Sequence, residues 1–479
     1  VPIADALDPT NGAGTELRRL ASIDDSAANE ALALARSFEG RIRSEGVHPC
    51  GVVIGADKLE TYMPLRFTED GAAVTQFEAD DVEACGLVKM DVLGLRNLTI
   101  IERCVGYISR RHEPVDVDAL PTGLDDPTAA KTWAMIQAGD TSGVFQLESS
   151  GMQDLCRRLA PTTFGDLAAL IALYRPGPMA SGLHHLYADR KNGRVPVDYD
   201  ALTGDPIERA ALEQVLGSTF GALTYQEQAM RLSQVLAGFS AGKADDLRKA
   251  VGKKLPEKMA ALRNDFVDGT ATESRMEDGS VKPAYSRQLG ERVWAQIEAG
   301  ADYLFNKSHA VAYADTTWIT AWLKANFPVE YNAALLAENT DPTKRFAVFA
   351  DAHRAGIKII GPSINGSEIL AAPDPDHPDA IRLGLAEVAG MKKIADRIVG
   401  ERLANGRFES ISDLCGRVAR VPSSDDGGVE VPGIDKGNLD ALVKAGAFDE
   451  FGRRLGLFQT MVFHSLKAPS LPVIDAEWD

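Results

Sequence analysis

Gly86-Leu87-Val88-Lys89-Met90-Asp91-Val92-Leu93-Gly94-Leu95 alternates with period two, Val88, Met90 and Val92 on one side and Lys89, Asp91 and Leu93 on the other. Such alternation, with β-branched residues and bounding glycines, predicts a short strand. Lys89 and Asp91 leave that strand in the same direction. A carboxylate beside an ammonium stays ionised at neutral pH. The pair suits phosphoryl or nucleotidyl transfer, the carboxylate holding a divalent cation while the lysine meets phosphate. A plain edge strand with one face in water would show the same pattern. The surrounding sequence has to separate the two.

Working outward, residues 47–95 read as strands at Cys50–Ile54, Val74–Phe77 and Leu87–Leu93, with glycine and acidic turns between them. Residues 1–46 read as mostly helical after a loop, rich in Ala, Leu and Arg. On the other side, Arg96 to Arg110 places Ile100, Ile101, Cys104 and Ile108 at helical spacing. From Leu120 the pattern is mainly helical. Phe164–Leu173 is an apolar helix stopped by Arg175-Pro176-Gly177-Pro178, where two prolines predict an extended turn with Arg175 at a helix end. Tyr225–Phe239 is amphipathic through Leu232, Val235, Leu236 and Phe239.

Ser240 is placed to cap a following helix that holds Lys243, Arg248, Lys249, Lys253 and Lys254. The chain carries 51 basic against 69 acidic residues, a net charge of −18, so this basic cluster opposes the sign of the whole. Phosphate contact is one reading of it and a solvated face is the other. Residues 268–284 read as a surface loop. Ser308 is a candidate N-cap for a helix carrying Trp318, Ile319, Trp322 and Leu323, which would put Lys307 at the positive end of that helix. Pro- and Asp-rich residues 355–380 mark a domain boundary, and small helices are expected at Ile381–Ala386, Lys392–Leu403, Ile411–Val418 and Asn438–Gly446.

Length bounds the rest: 479 residues predict about two to four domains with ample core. Composition is ordinary for a soluble globular protein, with no apolar run of membrane-spanning length and no opening signal peptide. The five cysteines form no CxxC pair, which fits reduced cytosolic thiols, neither a zinc site nor a disulfide framework. The eight histidines show no ligand spacing, and His184 and His185 are not expected to share a helix face. The acidic balance argues against a general nucleic-acid binder while leaving room for a basic groove.

The chain resembles the bacterial replicative polymerases of family C, the DNA polymerase III α subunits. The stretches that carry the resemblance are GVHPCGVVIG (46–55), GLVKMDVLGLRNLTII (86–101), GVFQLESSGM (143–152), ALYRPGPM (172–179), TYQEQAM (224–230), ADDLRKAVGKK (244–254), FNKSHAVAYA (305–314), WLKANFPVEYNAALL (322–336) and LVKAGAFDEFG (442–452). They run in family order along nearly the whole chain.

The resemblance implies an α+β fold. A partial nucleotidyltransferase-type palm sheet would precede a large, mainly α-helical fingers region and a small helix-hairpin-helix domain. The implied divisions are 1–46 for the rest of a thumb, 47–96 for the second half of a palm, 97–355 for fingers, 356–456 for the helix-hairpin-helix region and 457–479 for a tail. The implied activity is template-directed transfer of a nucleotide from a dNTP to a primer 3′-hydroxyl by two Mg²⁺ ions. Asp91 falls on one of the family's three palm carboxylates, with Lys89 beside it as a catalytic phosphate contact. Arg175, Lys253 and Lys307 fall in finger motifs that meet the triphosphate or template backbone, with Arg248 and Lys249 in the same basic stretch. Gln226 and Gln228 fall in a family motif in which packing is the plainer role. Primer–template DNA, dNTPs, the sliding clamp and other replisome components are the implied partners, with a cytoplasmic location and no membrane.

The departures shape the functional expectation. The family's two other carboxylates lie in a P-D-x-D-x-D-F motif, and this sequence contains nothing like it. The family's G-V-G hairpin reads Gly390-Met391-Lys392 here, which puts its backbone grip on duplex in doubt and offers Lys392 as a side-chain substitute. The chain opens on Val1, so a processed or incomplete product is expected. The isolated chain is therefore expected to lack polymerase activity. It would be one piece of a polymerase completed by a second polypeptide, a truncated product, or a non-catalytic module that binds nucleotide or primer–template.

Overall fold

The computed structural model describes residues 3–7, 15–22, 26–41, 46–48, 50–252, 256–276, 279–301, 303–418 and 433–457. The chain folds as two units, residues 1–94 and 95–479. Helices dominate and the described sheets are small, so the fold is α+β as expected.

In the first unit, helices Thr15–Ala21 and Ser26–Phe38 precede two antiparallel strand pairs, one of them a hairpin nested between the strands of the other. Strand β1 (Gly51–Ile54) pairs antiparallel with β4 (Val88–Asp91), in the register Gly51↔Asp91, Val52↔Met90, Val53↔Lys89 and Ile54↔Val88. Strands β2 (Leu65–Phe67) and β3 (Ala73–Thr75) pair separately. Thus the strand expected near Val74 is present, and its partner Leu65–Phe67 is one the sequence pattern does not announce. Residues directly opposite in a ladder share a face. The β1–β4 register therefore puts Gly51, Val53, Lys89 and Asp91 on one face and Val52, Ile54, Val88 and Met90 on the other. The core beneath is small, built on Met63, Val82 and Leu87 with Val53 against it. The opposite apolar face lies in water: Val52, Ile54, Val88 and Met90 are exposed, as are Val92 and Leu93. A two-stranded sheet with a bare apolar face is marginal by itself.

The second unit has three cores. Its site-bearing helices are α1 (Arg96–Ile108), α2 (Phe164–Leu173), α3 (Pro176–Ala180), α4 (Gln226–Ala237), α5 (Ala241–Gly252), α6 (Lys307–Asn326), α7 (Pro328–Glu338) and α8 (Pro342–Arg354). Helix α6 is the spine, packed on α1, α2 and α7. The reason is in its sequence: from Thr317 to Ala325 every residue is buried, so the helix has no solvent face over that length. Helix α2 is buried almost throughout and opens with a reciprocal cap between Thr163 and Asp166.

Several expectations need correction. Pro176 does not impose an extended turn; it opens the short helix α3 with Arg175 as N-cap, because proline at the first helical position loses no hydrogen bond. The N-cap of α6 is Asn306, whose Oδ1 accepts from the His309 N–H, and Ser308 instead donates to that same oxygen. Residues 268–284 are not all loop: one helix continues to Thr270, and Ser274–Arg275 pairs with Val281–Lys282. Residues 380–382 are a strand rather than a helix, central in the three-stranded sheet of Lys358–Ile360, Ala380–Arg382 and Ala372–Pro373. The rings of His184 and His185 stand 3.9 Å apart, so the neighbours do come together. Residues 395–405, 411–417 and 436–445 are helices, near where expected. At Gly390 the backbone is left-handed (φ 79°), Met391 is buried, and Lys392 is exposed. No helix among the described residues is long and apolar enough to cross a membrane.

Candidate functional site

On the β1–β4 strand pair the expected residues are in contact, with Lys89 Nζ 2.6 Å from Asp91 Oδ1. That hydrogen bond is the main reason the Asp91 carboxyl is held below the usual carboxylate range. Two further groups converge there. His48 Nδ1 lies 3.9 Å from Asp91 Oδ1 and 3.4 Å from Cys50 Sγ. Gly51, directly opposite Asp91, keeps the space between them open. A Cβ on it would stand 3.0 Å from His48 Nδ1, 3.0 Å from Lys89 Cε and 3.3 Å from Asp91 Oδ1.

Mg²⁺ prefers six oxygens in an octahedron. Here a single carboxylate, already bonded to a lysine, stands beside an imidazole and a thiol. The residues of this strand pair alone do not fit Mg²⁺. The cysteines and histidines were expected to offer no ligand spacing, and His48 and Cys50 depart from that. Both lie just before β1, and only the non-local pairing of β1 with β4 brings Asp91 to them, so no local spacing marks the cluster.

The second unit holds a cleft of about 670 Å³. Phe145, Gln146, Glu148 and Ser149 of the GVFQLESS motif line it, held by the loop 141–148. Gln146 there sits at φ 63°, a left-handed conformation that a side chain disfavours. Surrounding bonds impose it. Thr141 Oγ1 donates to the Leu147 carbonyl, the Phe145 N–H to Thr320 Oγ1, Tyr331 Oη to the Gly143 carbonyl and Lys324 Nζ to the Ser142 carbonyl. Strain held by this many contacts is common where a side chain must face a ligand.

Three cations line the cleft: Arg96 from the start of α1, Arg175 from the turn between α2 and α3, and Lys344 from the first turn of α8. Among the described residues no carboxylate pairs with any of them. Arg175 is fixed by backbone, its Nε donating to the Ala172 carbonyl at 2.9 Å and one Nη to the Tyr303 carbonyl at 2.6 Å. Its guanidinium also lies over the Phe305 ring, 4.2 Å from the centroid, and burial draws its pKa down from the ordinary arginine value. Phe305 begins an aromatic row. His309 stands 5.4 Å from it, Tyr313 4.3 Å from His309, and Phe145 5.3 Å from Tyr313. Glu148 is the cleft's carboxylate. Unpaired cations beside stacked rings suit a ligand that is anionic at one end and aromatic at the other.

The other sequence candidates lie elsewhere. Lys307 sits at the first turn of α6, but the Glu227 carboxylate already accepts from its backbone N–H, so this helix terminus has an anion of its own. The Lys307 ammonium lies over the Tyr225 ring. On α5, Arg248 and Lys249 both bind Asp245, at 2.7 and 2.9 Å, and Lys243 binds Asp265 at 2.7 Å. The basic face is thus largely neutralised where it is described; Lys253 and Lys254 lie outside the described residues. Ser240 does cap α5, accepting from the Lys243 N–H. Gln228 is buried, accepting from the Thr224 and Tyr225 N–H groups and donating to Thr219, a positioning role. The Gln226 N–H donates to the Phe305 carbonyl and so ties α4 to the cleft wall. Arg96, Lys344 and Gln146 are cleft residues that were not singled out from sequence. Two of them stand inside quoted motifs, but nothing in a lone residue type marks Lys344.

The geometry defines an α+β protein with a carboxylate-bearing strand pair and a separate helical body holding a cation-lined cleft. Comparison with known proteins gives the family. Residues 97–274 match the finger domain of the bacterial DNA polymerase III α subunit, residues 5–94 its NTPase domain, and residues 356–455 a helix-hairpin-helix motif. The chain belongs to the bacterial DNA polymerase III α subunit family. The DNA polymerase III subunit alpha of Saccharopolyspora erythraea is 37% identical over 466 residues, covering 96% of this chain and 36% of that protein. The Aquifex aeolicus subunit is 38% identical over 416 residues, covering 87% and 33%. That of Escherichia coli is 37% identical over 451 residues, covering 93% and 36%. The chain spans about a third of the length of these relatives.

Proposed function

We propose that this chain supplies the nucleotide-binding fingers and one catalytic carboxylate of a replicative, template-directed DNA polymerase. The observation that carries the reading is the cleft: three cations without carboxylate partners, against a row of aromatic rings, in a chain of net charge −18. Polyphosphate would lie on Arg96, Arg175 and Lys344, and the base against the rings. Arg175, held by two carbonyls and a ring, would be pre-positioned for that contact, and such fixed charge stabilises the negative charge that builds up in phosphoryl transfer.

In this reading residues 47–96 are the second half of a palm, 97–355 the fingers and 356–456 the helix-hairpin-helix region, where exposed Lys392 takes a duplex phosphate. Asp91 is one of three palm carboxylates, and its partners come from another polypeptide or another segment. Two features support incompleteness: the strand pair does not fit Mg²⁺ by itself, and the apolar face of β1 and β4 lacks cover. A further strand paired at the edge of β1 or β4 would widen this sheet and could bring the missing carboxylates to the face that carries Asp91. Mg²⁺, dNTPs, primer–template and the sliding clamp are the proposed ligands and partners of the completed enzyme. The second reading, a binding module without chemistry, shares the cleft and differs only in whether carboxylates ever join Asp91.

The cleft is tested by titrating the chain with dNTPs in a binding assay. Lys344→Glu places a carboxylate where phosphate would sit and is expected to weaken binding about tenfold or more, by loss of one charge-assisted contact and gain of a repulsive one. Lys249→Glu, on the paired face of α5, is expected to leave nucleotide affinity within about twofold. Equal losses in both variants, or in neither, would show that the cleft does not hold the nucleotide.

A further inference from the structure

The strand pair that fits Mg²⁺ poorly fits a softer ion well. The geometry points to a binding site for a thiophilic divalent cation, Zn²⁺ by chemical class, made by His48 Nδ1, Cys50 Sγ and the Asp91 carboxylate. One ligand atom from each lies within 4.8 Å of the other two. Around tetrahedral zinc, ligand atoms stand about 3.2–3.7 Å apart, given zinc bonds of about 2.0–2.3 Å. The 3.4 Å between His48 Nδ1 and Cys50 Sγ already falls in that range, while the 3.9 Å from His48 Nδ1 to Asp91 Oδ1 and the Cys50–Asp91 separation, within 4.8 Å, would shorten on binding. One imidazole, one thiolate and one carboxylate form a mixed donor set that favours zinc over a hard, all-oxygen ion.

Backbone as well as side chains builds the site. His48 and Cys50 lie just before β1, whose ladder sets Asp91 opposite Gly51, and the chain there brings both side chains to Asp91. Gly51 leaves the centre of the three groups clear, where a Cβ would press on His48 and Asp91. The Val92 N–H donates to the Cys50 carbonyl at 2.8 Å, which fixes the backbone that carries the thiol against the strand that carries the carboxylate. Cys50 is a free, partly exposed thiol, unlike the buried Cys104 and Cys156. Lys89 is the opposing feature, its ammonium on Asp91 Oδ1. A carboxylate has lone pairs for both a lysine and a metal, and three protein ligands leave a fourth zinc position for water.

The test uses the whole chain, freed of metal with a chelator and titrated with Co²⁺ and then Zn²⁺. Expected is one equivalent of Co²⁺ with a thiolate-to-cobalt absorption band, discharged by Zn²⁺ and indifferent to excess Mg²⁺. Cys50→Ala should abolish the band and weaken Zn²⁺ about 100-fold, whereas Cys85→Ala, at the other partly exposed thiol of the unit, should change neither. Gly51→Ala keeps every ligand but fills the centre, and should weaken Zn²⁺ about tenfold or more. Protection of Cys50 from alkylation by Zn²⁺, read by peptide mapping, checks the site without any substitution. Absence of a thiolate band, a band that survives Cys50→Ala, or unprotected Cys50 at saturating Zn²⁺ would overturn the assignment. The site shares Asp91 with the proposed palm, so Zn²⁺ here and Mg²⁺ in the completed palm would compete for that carboxylate; none of these readouts needs DNA or nucleotide, so their failure is distinguishable from a failure of the polymerase reading.

Discussion

Arg175→Ala is expected to lower dNTP affinity about tenfold to 100-fold and to destabilise the helical body by about 2–4 kcal/mol. The substitution removes three things at once. The Ala172 and Tyr303 carbonyls lose their donors, the Phe305 ring loses its covering cation, and the cleft loses its best-fixed charge. A half-buried guanidinium bonded to two carbonyls is an anchor as well as a contact, so the stability effect accompanies the binding effect. Arg175→Lys separates them. Lysine keeps a charge but cannot reach both carbonyls with a planar fork, so it should recover part of the affinity and little of the stability. Urea unfolding followed by far-ultraviolet circular dichroism reads the stability effect, and nucleotide titration reads the affinity effect. Unchanged stability in Arg175→Ala would show that the two carbonyl bonds carry no net weight.

The larger stability effect is expected at Lys324. Its ammonium is buried on α6, 2.9 Å from Asp351 Oδ2 on α8 and 2.9 Å from the Ser142 carbonyl of the loop that carries Gln146. The Lys324 and Asp351 side chains are each only 6% exposed. Lys324→Ala leaves a buried carboxylate short of its main partner, which typically costs about 3–5 kcal/mol. Arg354, also bonded to Asp351, will soften that figure because it remains in place. The double variant Lys324→Met with Asp351→Leu removes both charges and should cost much less than the single change, since a desolvated ion pair contributes little beyond its own upkeep. The functional consequence follows from geometry. Ser142 lies four residues from Gln146, and α8 supplies Lys344, so loosening Lys324 should disturb two walls of the cleft together. A Lys324→Ala chain with native stability would show that Arg354 alone satisfies Asp351.

Much of this architecture was legible in the sequence where one periodicity ruled. Helix α4 follows an apolar stripe, helices α2, α6 and α7 follow longer apolar runs, and the strand around Asp91 follows from clean alternation. Misreadings cluster where a single local rule was given too much weight. Proline at 176 and 178 suggested a break, yet proline is welcome in a first helical turn, so the chain starts α3 there. Leu65–Phe67 has no β-branched residue and pairs only through its neighbour β3. Ile381 was read with a helix, whereas a parallel partner at Ile359 makes it a central strand, a pairing across 22 positions that no local window contains.

The site divides in the same way. Lys89 and Asp91 were legible because they lie two apart on one strand. Arg175 was legible because the motif surrounding it is. His48 and Cys50 were not, since their meeting with Asp91 depends on the β1–β4 register. Lys344 was not, because only the packing of α8 brings it to the cleft. The basic stretch on α5 shows the converse: its charge was plain in sequence, and its pairing with Asp245 was not, though a carboxylate three and four residues before two cations on a helix is a readable signal.

The measurement that bears most directly on a half-built active site is primer extension by the purified chain with Mg²⁺ and all four dNTPs, beside an Asp91→Ala control. The expected result is no extension by either protein, together with salt-sensitive binding of primer–template by both. Extension by the chain that disappears in Asp91→Ala would contradict it, because carboxylates within these 479 residues would then be completing the site.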